Sequence, residues 1–235
     1  STYDTLDMTG GSLTTTSWFV IGYGPTTNHG IFNISGGTVN CPSTLYVGNT
    51  GTAIGTLNMT GGSITATTFG IAQATGSTGN VYLDGGTISC GTFSITTSGG
   101  RMDITLGTLI VDGDVTSTIN TYIANGWLTA FGGSGTLSVD YNVRNPGKTT
   151  VTAQSPEKAS YPTPANGATG ISINADLSWI AGIYATSHDV YFGTASPGTF
   201  RGNQTAVSFD PGTLALNTTY YWRIDEVNPS NPASP

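Results

Sequence analysis

Four times in its first ninety residues the chain alternates apolar and polar side chains and then breaks at a pair of glycines. Leu6, Met8 and Leu13 flank Gly10 and Gly11; Phe32, Ile34 and Val39 flank Gly36 and Gly37; Leu57, Met59 and Ile64 flank Gly61 and Gly62; Val81, Leu83 and Ile88 flank Gly85 and Gly86. Two-residue alternation marks a strand with one buried face, and a glycine pair ends it where the chain turns a corner. The second glycines lie 26, 25 and 24 residues apart, which is the signature of stacked coils rather than of a closed globule.

Each coil carries further apolar runs, at residues 18–21, 45–47, 69–71 and 93–95, followed by glycine-bearing loops at 22–25, 48–51 and 76–79. No single coil buries its own apolar face. Stacked at about 4.8 Å, every strand pairs with its equivalents and the apolar positions line one core. The expected fold is therefore all-β, with a parallel β-solenoid (β-helix) of about 4–5 coils over residues 1–115.

The period fades after Gly100. Residues 103–111 read as a fifth, shortened coil with one glycine lost, closed by Gly113. Residues 116–126 then begin with hydroxyl side chains suited to a helix start, set Ile119, Tyr122 and Ile123 on one face, and end on glycine, which predicts a short helix. Laid across the last coil it would cover exposed strand edges. Strand-like runs at 127–131, 136–143 and 149–153 complete a cap region spanning 116–154.

Residues 155–160 read as a linker to a second domain, 161–235, whose strand-like runs at 177–179, 188–192, 206–209 and 219–227 suit a small antiparallel sandwich. This segment resembles a fibronectin type III module: Pro162 to Gly167 precede the first strand, Leu177-Ser178-Trp179 matches the second, and residues 216–222 match the entry to the sixth. The resemblance implies that Trp179, Tyr220 and Trp222 form the sandwich core, with Tyr220 as a tyrosine corner. The glycine-rich repeats resemble those of bacterial autotransporter-type surface proteins. The combination is similar to large secreted proteins of planctomycete-like bacteria, which implies a secreted or cell-surface location.

One departure from the fibronectin pattern stands out. After Val227 the remaining eight residues include three prolines and offer no final strand. Either the chain belongs to a longer product, or a neighbouring molecule supplies the strand, through its residues 1–7.

Net charge is −7, charged residues make up 8% of the chain, and no Lys or Arg precedes Arg101, which speaks against a nucleic-acid partner. No apolar run approaches a membrane span, and Ser1 does not begin a basic-apolar leader; a secreted chain would have lost its leader. Cys41 and Cys90 occupy equivalent places two coils apart, roughly 9–10 Å, beyond the ~7 Å that a disulfide bridges, so no disulfide is expected.

Catalytic chemistry is sparse. Asp4, Asp7 and Asp84 are the only acids in the first hundred residues; Asp7 and Asp84 fall at different repeat positions three coils apart, and there is no Glu. Polysaccharide-cleaving solenoids need clustered carboxylates, a basic residue or calcium, so no enzyme and no cofactor are expected. Asp112 and Asp114 are a weak calcium candidate, outweighed by a solvated turn. His29 and His188 have no metal-like spacing to other ligands, and Asp225 with Glu226 reads as surface charge.

Four sequons, at Asn33, Asn58, Asn203 and Asn217, offer glycosylation sites, with Thr9, Ser35 and Thr60 as neighbouring hydroxyls. Asn33 and Asn58 recur at one repeat position and should point outward, either as a stacked amide ladder or as glycan acceptors. The expected function is a secreted structural protein that self-assembles into a fibre, matrix or surface layer. The alternative is a carbohydrate-binding or adhesive stalk in which exposed Tyr23, Tyr46 or Tyr82 stack on sugars.

Overall fold

The computed structural model describes residues 3–24 and 28–228. It divides into two compact units, Ser1–Gln154 and Ser155–Pro235.

Unit 1 is a parallel β-solenoid of about five turns. Its first coil holds β1 (Tyr3–Met8), β2 (Ser12–Thr14) and β3 (Phe19–Ile21); the second holds β4 (His29–Ile34) and β5 (Thr38–Val47). The third and fourth coils run as long bent strands, β6 (Ile54–Ile71) and β7 (Thr78–Ile95), and the fifth as β8 (Gly100–Ile104) and β9 (Thr108–Asp112). The pairing is parallel and in register: Leu6 lies beside Phe32, Phe32 beside Leu57, Leu57 beside Val81, and Val81 beside Met102. Those inward residues are buried from the second coil onward and form the core.

The repeated glycines fall in one column, as the period requires. Thr38 donates its N–H to Gly11 O and Ser63 donates to Gly37 O, each at 2.9 Å. Gly37, Gly62 and Gly86 have φ of +90°, +78° and +74°, and a Cβ at Gly62 would stand 2.7 Å from Gly37 O. The corner thus demands glycine twice, for its left-handed backbone and for the approach of the coil beside it. In the fifth coil Gly107 keeps the second glycine, while the exposed Leu106 replaces the first.

Cys41 stacks on Ala66 and Ala66 on Cys90, so the two thiols are two coils apart, free and buried. Burial pushes the Cys90 thiol up to about 12, with Asp112 adding to the shift.

The predicted helix is α1 (Thr116–Ala124), with Ile119 buried and Tyr122 and Ile123 packed on the core. It is not the whole cap. β10 (Leu128–Ala130) adds a parallel partial rung on β8. The hairpin of β11 (Thr136–Tyr141) and β12 (Lys148–Gln154) joins antiparallel to β9, burying Val151 against Leu109. Two reversals return β11 to the direction of the solenoid strands.

Unit 2 contains two three-stranded antiparallel sheets. The first is ordered β13 (Ser160–Thr163), β14 (Leu177–Ile180), β17 (Ser208–Phe209); the second is β16 (Thr199–Gln204), β15 (Ser187–Gly193), β18 (Tyr221–Val227). Aromatic rings join them: Trp179 on the first sheet meets Trp222 at 6.4 Å on the second, and Phe192 meets Phe209 at 6.4 Å. Tyr220 stacks on Phe192 at 5.1 Å, and its hydroxyl accepts the Ala215 N–H at 2.9 Å.

Candidate functional site

The two ends of the solenoid differ. At the fifth coil, α1, β10 and the β11–β12 hairpin cover the core, and the outer face of α1 carries Ser117, Thr118, Asn120 and Thr121, all exposed. A polar outer face is what a terminating repeat needs. Asp103 fastens this end: its carboxylate accepts Thr129 Oγ1 at 2.6 Å and the Gly132 N–H at 2.9 Å. Nothing in the local sequence singled out Asp103, because its partners lie 26 and 29 residues away.

The first coil has no such cover among the described residues. Leu6 is 45% exposed, although its equivalents Phe32 and Leu57 are buried, and Met8, Leu13 and Phe19 are only partly buried. An open cleft of ≈290 Å³ lies here, lined by Leu6, Phe19, Val20, Tyr23, Ile31 and Phe32. A Cβ at Gly10 or Gly11 would meet nothing within 4 Å, whereas one at Gly36 or Gly37, stacked on them, would run into first-coil backbone.

Strand β1 also ends the sheet. It pairs with β4 on one side and, among the described residues, with nothing on the other. Met8 O accepts the Ser35 N–H at 2.9 Å, so Met8 faces the second coil. Along a parallel strand the backbone groups alternate sides, so the N–H and C=O of Thr5 and Asp7 face away from the solenoid. No proline, lysine or bulge interrupts this edge; of the usual devices against strand addition it carries only charge, on Asp4 and Asp7, with Asp4 in phase with Leu6 and lining the cleft.

The other candidate residues are occupied by structure. Asn58 Nδ2 donates to Asn33 Oδ1 and Asn33 Nδ2 donates to Asp7 Oδ1, both at 2.7 Å, so the outward position forms an amide ladder that ends on a carboxylate. Asp112 pairs with Lys148, and Asp114 accepts the Thr116 N–H at 3.1 Å and the Thr116 hydroxyl at 2.7 Å at the start of α1. Among the described residues no three His, Cys, Asp or Glu side chains group as for a metal ion.

Two expectations need correction. Glu226 is not surface charge: it is buried, bonded to His188 Nδ1, and accepts the Gly182 N–H at 2.7 Å. The antiparallel register sets Glu226 directly opposite His188 on the inner face, and only that pairing brings them together. Its neighbour Asp225 is half-buried and bound to the exposed Arg223 at 2.7 Å. Tyr46 is not a free aromatic either. It is half-buried, edge-on to Trp18 at 5.7 Å, while Tyr23 and Tyr82 are exposed, as is Trp18.

The proposed missing final strand would fall beyond Asn228, outside the described residues, and of the segment 1–7 the residues from Tyr3 onward already serve as β1. Among the described residues β18 pairs with β15 alone. Among the described residues no helix is long and apolar enough to cross a membrane.

No protein-family model matches the chain, and no significant match was found among curated proteins or solved structures.

Proposed function

We propose that the chain is a structural protein that associates with copies of itself, building an extracellular fibre, matrix or surface layer. The observation that carries this reading is the inequality of the solenoid ends: one is sealed by a polar cap, and the other, among the described residues, leaves a strand edge whose only guards are Asp4 and Asp7, beside exposed Leu6 and an open cleft of mixed lining. Parallel strands left unpaired over an apolar face are completed by another strand. The receiving partner in this reading is the side of β18 that is unpaired among the described residues, in a second copy, which makes the contact heterologous and the product an open chain of subunits where the rotation between them does not close into a ring. Of the segment 1–7, the β1 residues from Tyr3 onward thus contribute by pairing at their outer side while remaining in the first coil.

The second unit is read as a fibronectin type III-like sandwich. Its strand order and the bond between Tyr220 and Ala215 support this, as does burial of Trp179. Few charges and the resemblance of the repeats support placement outside the cell. A second reading, a sugar-binding stalk, is favoured by the exposure of Trp18, Tyr23 and Tyr82.

Negative-stain microscopy and sedimentation velocity of the chain and of Thr5→Pro separate these readings. Proline at Thr5 removes an outward N–H that takes no part in the ladder with the second coil. Concentration-dependent filaments that the variant abolishes support edge pairing. Single particles from the unaltered chain at all concentrations, with retention on a polysaccharide, would favour the stalk.

A further inference from the structure

The four sequons stand in very different surroundings, and the geometry points to Asn217 as an acceptor for an N-linked glycan. An acceptor amide must be reachable and free to turn its nitrogen toward the sugar donor. Asn33 and Asn58 are half-buried and not free to turn: each donates its Nδ2 to the rung before it at 2.7 Å. A sugar on either nitrogen would have to fit where coils repeat every ~4.8 Å. Asn203 lies on the edge strand β16, and its Nδ2 donates to both Ser187 Oγ at 3.0 Å and Asp189 Oδ1 at 2.8 Å. Modification there costs at least one of those bonds.

Asn217 differs on every count. It is exposed, and no hydrogen bond holds its side chain. Its backbone sits at φ +52°, the left-handed conformation that asparagine tolerates at the tip of a turn. The turn is tied only at its base, by Leu214 N–H donating to Ile173 O at 2.7 Å and by Ala215 N–H donating to the Tyr220 hydroxyl at 2.9 Å. Residues 215–219 are all exposed, so Thr219, the hydroxyl residue of the sequon, is as open as the asparagine. Thr218 binds the Leu216 carbonyl at 3.0 Å and leaves Thr219 uncommitted.

The co-reactant is a polyprenyl-pyrophosphate-linked oligosaccharide. The Asn217 amide nitrogen forms a bond to the anomeric carbon, and the bond from that carbon to the pyrophosphate oxygen breaks. Polyprenyl pyrophosphate leaves with the electron pair, and one amide proton passes to a base of the transferase. No oxidation or reduction occurs. The extracellular reading bears only on whether the chain meets such a transferase in its cell; the chemistry of the site is independent of self-assembly.

The test uses an oligosaccharyltransferase first shown to modify a free peptide of residues 214–221. The full folded chain is incubated with that enzyme and its lipid-linked donor, beside N33Q, N58Q, N203Q, N217Q and the pair Thr219→Ala and Thr219→Ser. Intact mass and peptide fragmentation read the outcome, and circular dichroism confirms that each variant is folded. One oligosaccharide per chain is expected on the unaltered protein, N33Q, N58Q, N203Q and Thr219→Ser, with loss of the added mass in N217Q and Thr219→Ala. Sugar appearing first at Asn33, Asn58 or Asn203 overturns the proposal. So does a folded chain that stays unmodified under conditions where the peptide reacts.

Discussion

Alanine placed at Gly62 and at Gly11 separates the conformational demand of the corner from the demand of stacking. Both glycines have nearly the same left-handed backbone, φ +78° and +79°. An L-side chain there costs about 1–2 kcal/mol in either position. Only at Gly62 does the new Cβ collide, at 2.7 Å from Gly37 O and 3.0 Å from Gly36 C, while at Gly11 it meets nothing within 4 Å. Backbone atoms cannot rotate aside, so the third coil must shift from the second. That shift strains the 2.9 Å bond from Ser63 to Gly37, worth about 1 kcal/mol net. It also disturbs the packing of Met59 and Ile64, and overpacking of this kind typically adds about 1–3 kcal/mol. Gly62→Ala should therefore be less stable than Gly11→Ala by about 2–4 kcal/mol. For a unit of this size the gap corresponds to roughly 5–15 °C in Tm. Far-ultraviolet circular dichroism melts of both variants, at concentrations that keep the chain monomeric, measure it. Equal destabilisation of the two would refute the stacked register, because the strain they share is the left-handed backbone alone.

Further outcomes follow from unit 2 and from the cysteines. Glu226→Ala strands the buried His188 and the Gly182 N–H, and breaking such a buried pair costs about 3–5 kcal/mol; urea denaturation monitored by tryptophan fluorescence should show this loss, and a change below about 1 kcal/mol would deny the pair its structural role. Native Cys90 should resist a thiol reagent at pH 8 and react once the chain is unfolded, because burial keeps it protonated up to about 12. The sign follows from proton binding: as pH climbs from 9.0 toward about 12 the unfolded chain sheds a proton that the native chain retains, so native stability falls across that window. Rapid labelling of the native thiol at pH 8 would contradict this.

The solenoid was legible because its stacking rule is local and repeated. Each glycine pair marks the same corner, and the alternation around it assigns Leu57, Met59 and Ile64 to the inside, where they are buried. The helix was legible for a similar reason, with Ile119, Tyr122 and Ile123 in phase. Alternation does not tell parallel from antiparallel strands, so β11 and β12 were expected as strands of the cap region but their antiparallel hairpin was not foreseen. The strand beginning with a tryptophan at 18 proved shorter: β3 starts at Phe19, and Trp18 stands out at 60% exposure, where it covers Tyr46.

In unit 2 the signal for Glu226 was present but unread. His188 is in phase with the buried Val190 and Phe192, and Glu226 is in phase with Ile224 and Trp222. Two polar residues at inward positions of adjacent strands call for a partner, since an unpaired buried charge is costly. Their register, 38 residues apart in sequence, comes from folding the sheet. The sequons were equally visible as motifs, but hydrogen bonding alone sorts them: an amide ladder for Asn33 and Asn58, a doubly held Asn203, and an open Asn217.

Amide hydrogen exchange at Thr5 and Asp7 tests the proposed assembly most directly. In dilute monomer these two N–H groups, turned away from the second coil, should exchange as open amides, while the Ser35 amide bound to Met8 is protected. Under conditions where the chain assembles, Thr5 and Asp7 should become protected together with the outer amides of β18, and Thr5→Pro should prevent both changes. Assemblies in which Thr5 and Asp7 continue to exchange as in the monomer would contradict the account.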